Sequence, residues 1–430
     1  MLAKSALMGL AALLCLVPGA QAACAECDVP EESVLLQNVQ KRADAELQPE
    51  WSSPDKVWRC APDVHAAQYA WKSLILKISN AYATGGNFTA VAEEGIAKYY
   101  GYDIGPVLFK PTQAVEVPFR DTAGEALSYF VGCAAAGPYC IPEDKGFAIA
   151  GGMTWSKVRF DNDQINCFGD EDIAVAQGYY YFTNNKTGDI AEVEYSFGYK
   201  RMASGELKII LHHSSVPYKA PDNSTLLIQD VSESMQEESA EDLESKPFRR
   251  LGKWHPHYGV STTSTKQPTT GCESAVIAAQ NEWKVLILSI SSAYLAGVDF
   301  VYVAKLGIDR LYGYDIGRVL FKPTQAVEQP FRVTSEAALS YFVGYDAAGK
   351  VDGIPEDKGF AIAAGKGWSD VMFQNDQISC WGDIAFAQGY YFFTNKESGE
   401  TIGVEYSFGY EKYEGKWKIV LHHSSIPYSP

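Results

Sequence analysis

Leu211-His212-His213-Ser214-Ser215 recurs as Leu421-His422-His423-Ser424-Ser425, and that recurrence decides how the chain is organised. Working outward, a shift of about 212 residues lays Tyr102-Asp103-Ile104-Gly105 on Tyr314-Asp315-Ile316-Gly317, and Val107-Leu108-Phe109-Lys110-Pro111-Thr112 on Val319-Leu320-Phe321-Lys322-Pro323-Thr324. Ile141-Pro142-Glu143-Asp144-Lys145-Gly146-Phe147 matches Ile354-Pro355-Glu356-Asp357-Lys358-Gly359-Phe360 in the same way. Two copies of so long a unit are a domain duplication, because solenoid repeats are shorter and more numerous. Copy one is expected over 57–219 and copy two over 270–430, joined by a linker at 220–269 that lacks periodicity and carries the acidic run Glu233–Glu244.

Each copy reads as helices followed by strands. Trp71–Ala83 and Trp283–Ala296 carry apolar residues at helical spacing. A second helix is predicted over Thr89–Tyr100 and a third over Ala123–Val131, where Thr122 and Glu125 have capping-box spacing. Strands are predicted over Phe147–Ala150, Ile173–Thr183, Glu192–Lys200 and Leu207–Ser215. This order gives an α+β fold: two tandem cone-shaped domains, each with N-terminal helices packed on a curved antiparallel sheet. Strict alternation along the last strand puts Leu207, Ile209, Leu211, His213 and Ser215 on the core face, and Trp417, Ile419, Leu421, His423 and Ser425 likewise in copy two. One His and one Ser per copy, His213 with Ser215 and His423 with Ser425, are therefore expected inside the cone.

The 430 residues are 47% hydrophobic and 21% charged, enough for two cores, and a net charge of −17 argues against nucleic acid as a partner. Met1–Ala22 has Lys4, an apolar run Ala6–Val17 and small residues at Ala20 and Ala22, the pattern of a signal peptide rather than a membrane anchor. Secretion, or the lumen of the secretory pathway, is the expected localisation, with a complex plastid reached through a signal peptide as the alternative. Asn87-Phe88-Thr89, Asn185-Lys186-Thr187 and Asn223-Ser224-Thr225 are glycosylation sequons. After the signal segment, 23–56 holds Cys24 and Cys27. Cys60 and Cys167 recur as Cys272 and Cys380, one expected bridge per copy, while Cys133 and Cys140 belong to copy one and staple a local loop.

Adjacent histidines on a strand point apart and do not jointly grip an ion, and copy two has no histidine besides His422 and His423, so a three-His zinc site cannot be built within it. A site using carboxylates is left open, and manganese or zinc with it. A Ser-His-Asp hydrolase fails on spacing, since His213 and Ser215 lie two apart on one strand and no nucleophile elbow is present. There remains a pocket of neutral hydroxyls: Thr112 and Thr324 at a strand end, Tyr129 and Tyr341 on the third helix, and Ser215 and Ser425, all able to donate to an oxygen-rich ligand. Each of these hydroxyls can equally serve only to satisfy backbone groups.

Val-Leu-Phe-Lys-Pro-Thr (107–112 and 319–324), Ala-Leu-Ser-Tyr-Phe-Val-Gly (126–132 and 338–344) and His-His-Ser-Ser-x-Pro (212–217 and 422–427) together resemble the iota-class carbonic anhydrases, over nearly all of both copies. The resemblance implies the cone-shaped fold of nuclear transport factor and of the kinase association domain. It also implies carbon dioxide and bicarbonate as ligands, an activity described in some members as metal-free, and a pseudo-dimer of the two copies or a homodimer. By the same resemblance Thr112, Tyr129, Thr324 and Tyr341 contact bicarbonate together with a motif serine, Ser215 and Ser425 on the alternation above or else Ser214 and Ser424; the inward histidine of the alternation, His213 or His423, is the candidate proton acceptor for the water. The competing class is a non-enzymatic assembly or ligand-binding module of the same fold.

Overall fold

The structure, a computed structural model, describes residues 58–219, 271–349 and 353–429. The signal-peptide segment, Cys24 and Cys27, the linker and the Asn223 sequon lie outside the described residues. Copy one runs α1 (Ala61–Ala83), α2 (Phe88–Tyr99), β1 (Leu108–Lys110), α3 (Ala123–Val131), α4 (Cys133–Ala136), β2 (Trp155–Phe168), β3 (Ile173–Asn184), β4 (Ile190–Arg201) and β5 (Leu207–Ser215). Copy two repeats it as α5 (Gly271–Leu295), α6 (Phe300–Leu311), β6 (Leu320–Lys322), α7 (Ser335–Val343), α8 (Tyr345–Ala348), β7 (Trp368–Trp381), β8 (Ile384–Asn395), β9 (Thr401–Tyr413) and β10 (Lys416–Ser425).

Each copy has one five-stranded sheet, ordered β1-β5-β4-β3-β2 and β6-β10-β9-β8-β7. The short β1 and β6 lie parallel to β5 and β10, and the remaining pairs are antiparallel. Helix α1 begins earlier than its apolar stripe suggests, at Ala61 with Pro62 in the first turn, where a missing N–H costs nothing. It buries Val64, Gln68, Trp71, Leu74, Ile75 and Ile78 against the concave side of the sheet. The capping box of α3 forms as predicted, Thr122 accepting from the Glu125 amide and Glu125 from the Thr122 amide.

Two predictions differ from the structure. Phe147–Gly152 is a 3-10 turn rather than a strand, because Gly146 sits at φ 84° and Ala150 and Gly151 at φ 49° and 58°, values no strand accommodates. The 14-residue β2, an edge strand, is not read as one because register shifts at Ser156 and Asp163 break its alternation and Asn162 puts a polar side chain on the inward face against Gln68.

The disulfides Cys60–Cys167 and Cys272–Cys380 form as the repeat pairs them, and Cys133–Cys140 staples the local loop of copy one. Closing a loop of 107 residues restricts the unfolded chain far more than closing one of 7. On loop entropy, Cys60→Ala with Cys167→Ala lowers stability by up to ~4–5 kcal/mol, against ~2 for Cys133→Ala with Cys140→Ala. Denaturant titration of the two variants reads that ratio.

Between the sheets lies a third apolar cluster, separate from the two cone interiors: Leu108, Ile173, Val175, Ile210 and Leu211 of copy one with Leu320, Ile384, Phe386 and Leu421 of copy two. The two copies thus pair through the outer faces of their sheets, inside one chain.

Candidate active site

The His-His-Ser-Ser segments do not keep strict alternation. Gly198 pairs with Leu211 and Tyr199 with Ile209, so Ile210 is an extra residue, a β-bulge; Val420 is its counterpart in copy two. Before the bulge, Leu207 and Ile209 face the cone interior. After it, Ile210 and Leu211 both belong to the cluster between the copies. One inserted residue inverts the facing of everything downstream. His212 and Ser214 therefore point into the cone, and His213 and Ser215 point out of it, the reverse of the expectation; His422 and Ser424 point inward and His423 and Ser425 outward in copy two.

The outward groups build a buried zipper. The His213 and His423 rings stack with centroids 3.9 Å apart. His213 bonds Ser407 through Nδ1 at 2.9 Å and Ser425 through Nε2 at 3.0 Å; His423 bonds Ser196 and Ser215 at the same distances. Ser215 donates to Glu194 at 2.9 Å and Ser425 to Glu405 at 3.0 Å. Lys110 pairs with Glu405 of the other copy at 2.7 Å, and Lys322 with Glu194, all four side chains 1% exposed. Burial holds both imidazoles well below the usual histidine pKa, with the neighbouring charges adding to it. These histidines are neutral structural groups with no access to a cone cavity.

Inside the cone the inward pair meets the predicted hydroxyls. In copy one Ser214 Oγ lies 2.9 Å from His212 Nε2 and makes a short contact with the Tyr180 hydroxyl. Thr112 lies against both Tyr180 and Tyr129. The Tyr129 hydroxyl is buried without a well-formed protein hydrogen bond, as is that of Tyr341. Buried hydroxyls seldom go unpaired, so each is available to a ligand. Burial pushes the Tyr129, Tyr180, Tyr341 and Tyr391 phenols far above 10, so all keep their protons and can donate. Copy two repeats the set, with Ser424 2.8 Å from His422 Nε2, Tyr391 against Ser424, and Thr324 against Tyr341 and Tyr391.

The loop after Thr112 is tied down. Glu143 accepts from the amides of Val115, Glu116 and Val117 at 2.8–2.9 Å, and buried Arg120 donates to Asp144 at 2.7 Å. A cavity of about 650 Å³ opens beside Tyr129, walled by Gln113, Gly146, Phe147 and Trp155, and Tyr428 of copy two also lines it. Thr112, Tyr129 and Ser214 are thus brought together, as are Thr324, Tyr341 and Ser424, whereas Ser215, Ser425, His213 and His423 are not.

Tyr180 and Tyr391, His212 and His422, and the crossed Lys–Glu pairs escaped the sequence reading, although recurrence marked them: Gln-Gly-Tyr-Tyr at 177–180 recurs at 388–391, and Glu-Tyr at 194–195 recurs at 405–406. Among the described residues no group of three or more His, Cys, Asp or Glu is placed to hold a metal ion, and no helix is long and apolar enough to cross a membrane.

Comparison with known proteins agrees with this layout. The profile of the metal-independent carbonic anhydrase family matches residues 62–216 and again 274–426. A metal-independent carbonic anhydrase of Nostoc sp. is 41% identical over 160 residues, 36% of this chain and 73% of that protein. The crystal structure of an iota-carbonic anhydrase from a cyanobacterium, complexed with bicarbonate, is 36% identical, covering 40% of this chain and all of that one with a TM-score of 0.34. A calcium/calmodulin-dependent kinase II association domain from Xanthomonas campestris is 21% identical, over 37% of this chain and 90% of that one, with a TM-score of 0.26. With both copies matched along nearly their whole described length, the chain belongs to the metal-independent carbonic anhydrase family.

Proposed function

We propose that each copy hydrates carbon dioxide reversibly to bicarbonate in its hydroxyl-lined cone, without a metal. The carrying observation is the convergence of Thr112, Tyr129, Tyr180 and Ser214 in one buried cluster in which the Tyr129 hydroxyl makes no well-formed protein hydrogen bond. The reaction joins a water oxygen to the carbon of carbon dioxide, moves one C=O electron pair onto oxygen, and releases one proton to give bicarbonate. Negative charge grows on the carbon dioxide oxygens as the C–O bond forms. Fixed hydroxyl donors aimed at those oxygens in a water-poor cavity stabilise that charge without reorganising, and each contributes roughly 3–4 kcal/mol.

Thr112, Tyr129 and Ser214 hold bicarbonate in copy one, and Thr324, Tyr341 and Ser424 in copy two. Both copies carry every hydroxyl type, so both are active. The three disulfides favour an oxidising compartment and therefore the secretory route.

Stopped-flow carbon dioxide hydration by the purified mature protein, after exhaustive chelation, tests the reading. Activity that survives chelation is expected. Activity that returns only on adding zinc or manganese removes the metal-free mechanism, and none under any condition leaves the fold as a binding or assembly module.

A further inference from the structure

The geometry points to His212 and His422 as positioning residues, each locked in its Nε2–H tautomer, that turn one hydroxyl proton of the neighbouring Ser–Tyr pair into the cavity and accept no proton there. This inference rests on the reading of the cone as the site of carbon dioxide hydration.

The lock starts at an indole. Trp71 Nε1 is a donor only, and it gives its hydrogen to the Tyr100 hydroxyl oxygen at 3.0 Å. Tyr100 is fully buried and keeps its own proton, because burial raises its phenol well above the usual value. The other polar contact of that hydroxyl is His212 Nδ1, 2.9 Å away. Tyr100 therefore donates to Nδ1, and Nδ1 carries a lone pair. With Nδ1 accepting and the ring neutral, the imidazole hydrogen resides on Nε2. The ring is kept neutral by its surroundings: it stacks 4.6 Å from Phe109, meets Phe197 and Trp71 edge-on, and burial alone lowers its pKa. The opposite tautomer would ask the Tyr100 oxygen to accept twice and leave a buried phenol proton without an acceptor.

From Nε2 the direction passes to the site. Nε2–H points at Ser214 Oγ, 2.9 Å away, with the Tyr180 oxygen at 3.4 Å. Ser214 and Tyr180 own two hydroxyl protons, and their mutual hydrogen bond uses one. Ser214 cannot return its proton to a nitrogen that already bears one. The second proton is left on the Thr112 side of the pair, free of the imidazole, as a donor toward a carbon dioxide or bicarbonate oxygen. Copy two has the same relay: Trp283 to Tyr312 at 3.0 Å, Tyr312 to His422 Nδ1 at 2.9 Å, and His422 Nε2 to Ser424 at 2.8 Å. The proton lost by water then leaves by way of solvent in the cavity, not through the motif histidine.

The test uses the full chain labelled with ¹⁵N-histidine, its signals assigned with the single variants His212→Gln and His422→Gln. The expected spectrum shows an unprotonated Nδ1 and a protonated Nε2 for both rings at neutral pH; an Nδ1–H or doubly protonated signal overturns the inference. A second measurement compares His212→Gln/His422→Gln with His212→Leu/His422→Leu. Glutamine keeps an amide donor near the Nε2 position but is no base, so its kcat is expected to fall by about tenfold or less, against about 10²-fold for leucine. A proton-accepting histidine would instead make both variants fall alike, by ~10²–10⁴-fold, and that result also overturns the inference. Should the wild-type protein hydrate no carbon dioxide, the proposed function fails while the spectrum still decides the tautomer.

Discussion

Ser214→Ala with Ser424→Ala is expected to lower kcat/KM for carbon dioxide hydration by roughly 10²–10³-fold, the usual cost of removing one donor from a preorganised site. Ser215→Ala with Ser425→Ala is expected to stay within a few-fold of wild type in kcat/KM while lowering the denaturation midpoint. The contrast follows from the bulge at Ile210 and Val420. Ser214 sits in the cone against Tyr180 and His212, whereas Ser215 lies between the copies, donating to Glu194 and accepting from His423. Both variants must be double, because an intact second copy would mask the loss. Stopped-flow indicator assays and urea titration on the same preparations read the two effects. Loss of activity confined to the Ser215/Ser425 variant would place the working serine on the outward face and overturn this site.

The two serines show what sequence can and cannot disclose. Recurrence of His-His-Ser-Ser announced an important strand, and period-two alternation correctly grouped His212 with Ser214 and His213 with Ser215, but attached the wrong pair to Leu207 and Ile209 upstream of the bulge. It could not say which set faces inward, because a bulge costs one unpaired residue and leaves no mark in a run as uniformly apolar as Leu207–Leu211, interrupted only by Lys208. Thr112 and Tyr129 were legible for the opposite reason: a Lys-Pro break fixes the end of β1, and a capped helix of nine residues fixes the face of Tyr129. Tyr180 was hidden among Tyr179, Tyr180, Tyr181 and Phe182, where every residue suits a strand. The zipper between the copies was least legible, since each partner lies more than 100 residues from the other and adjacency on one strand says nothing about a second sheet.

Lys110→Met alone is expected to destabilise the pairing of the copies by about 3–5 kcal/mol, the cost of stranding a buried partner charge. Lys110 Nζ is held between Glu405 of copy two at 2.7 Å and the Ser214 carbonyl at 3.0 Å, and Glu405 retains one buried oxygen that finds no partner even in the intact protein. Adding Glu405→Leu should recover most of the loss, because an apolar pair of similar volume replaces the ion pair instead of breaking it. Burial raises the Glu405 pKa, Lys110 being the strongest influence in the other direction. Without Lys110 that pKa rises further. A carboxyl whose folded pKa is raised contributes stability below its unfolded value, about 4.3, and loses it as pH rises through the folded value. The deficit of Lys110→Met relative to wild type is therefore smallest near pH 4 and widens toward neutrality, which urea titrations at several pH values would show. A deficit independent of pH would mean that Glu405 is not the stranded charge. Because Lys110, two residues before Thr112, also grips the Ser214 backbone, the same variant is expected to lower kcat; restored stability in Lys110→Met/Glu405→Leu with kcat still depressed would assign that effect to the lost Ser214 contact.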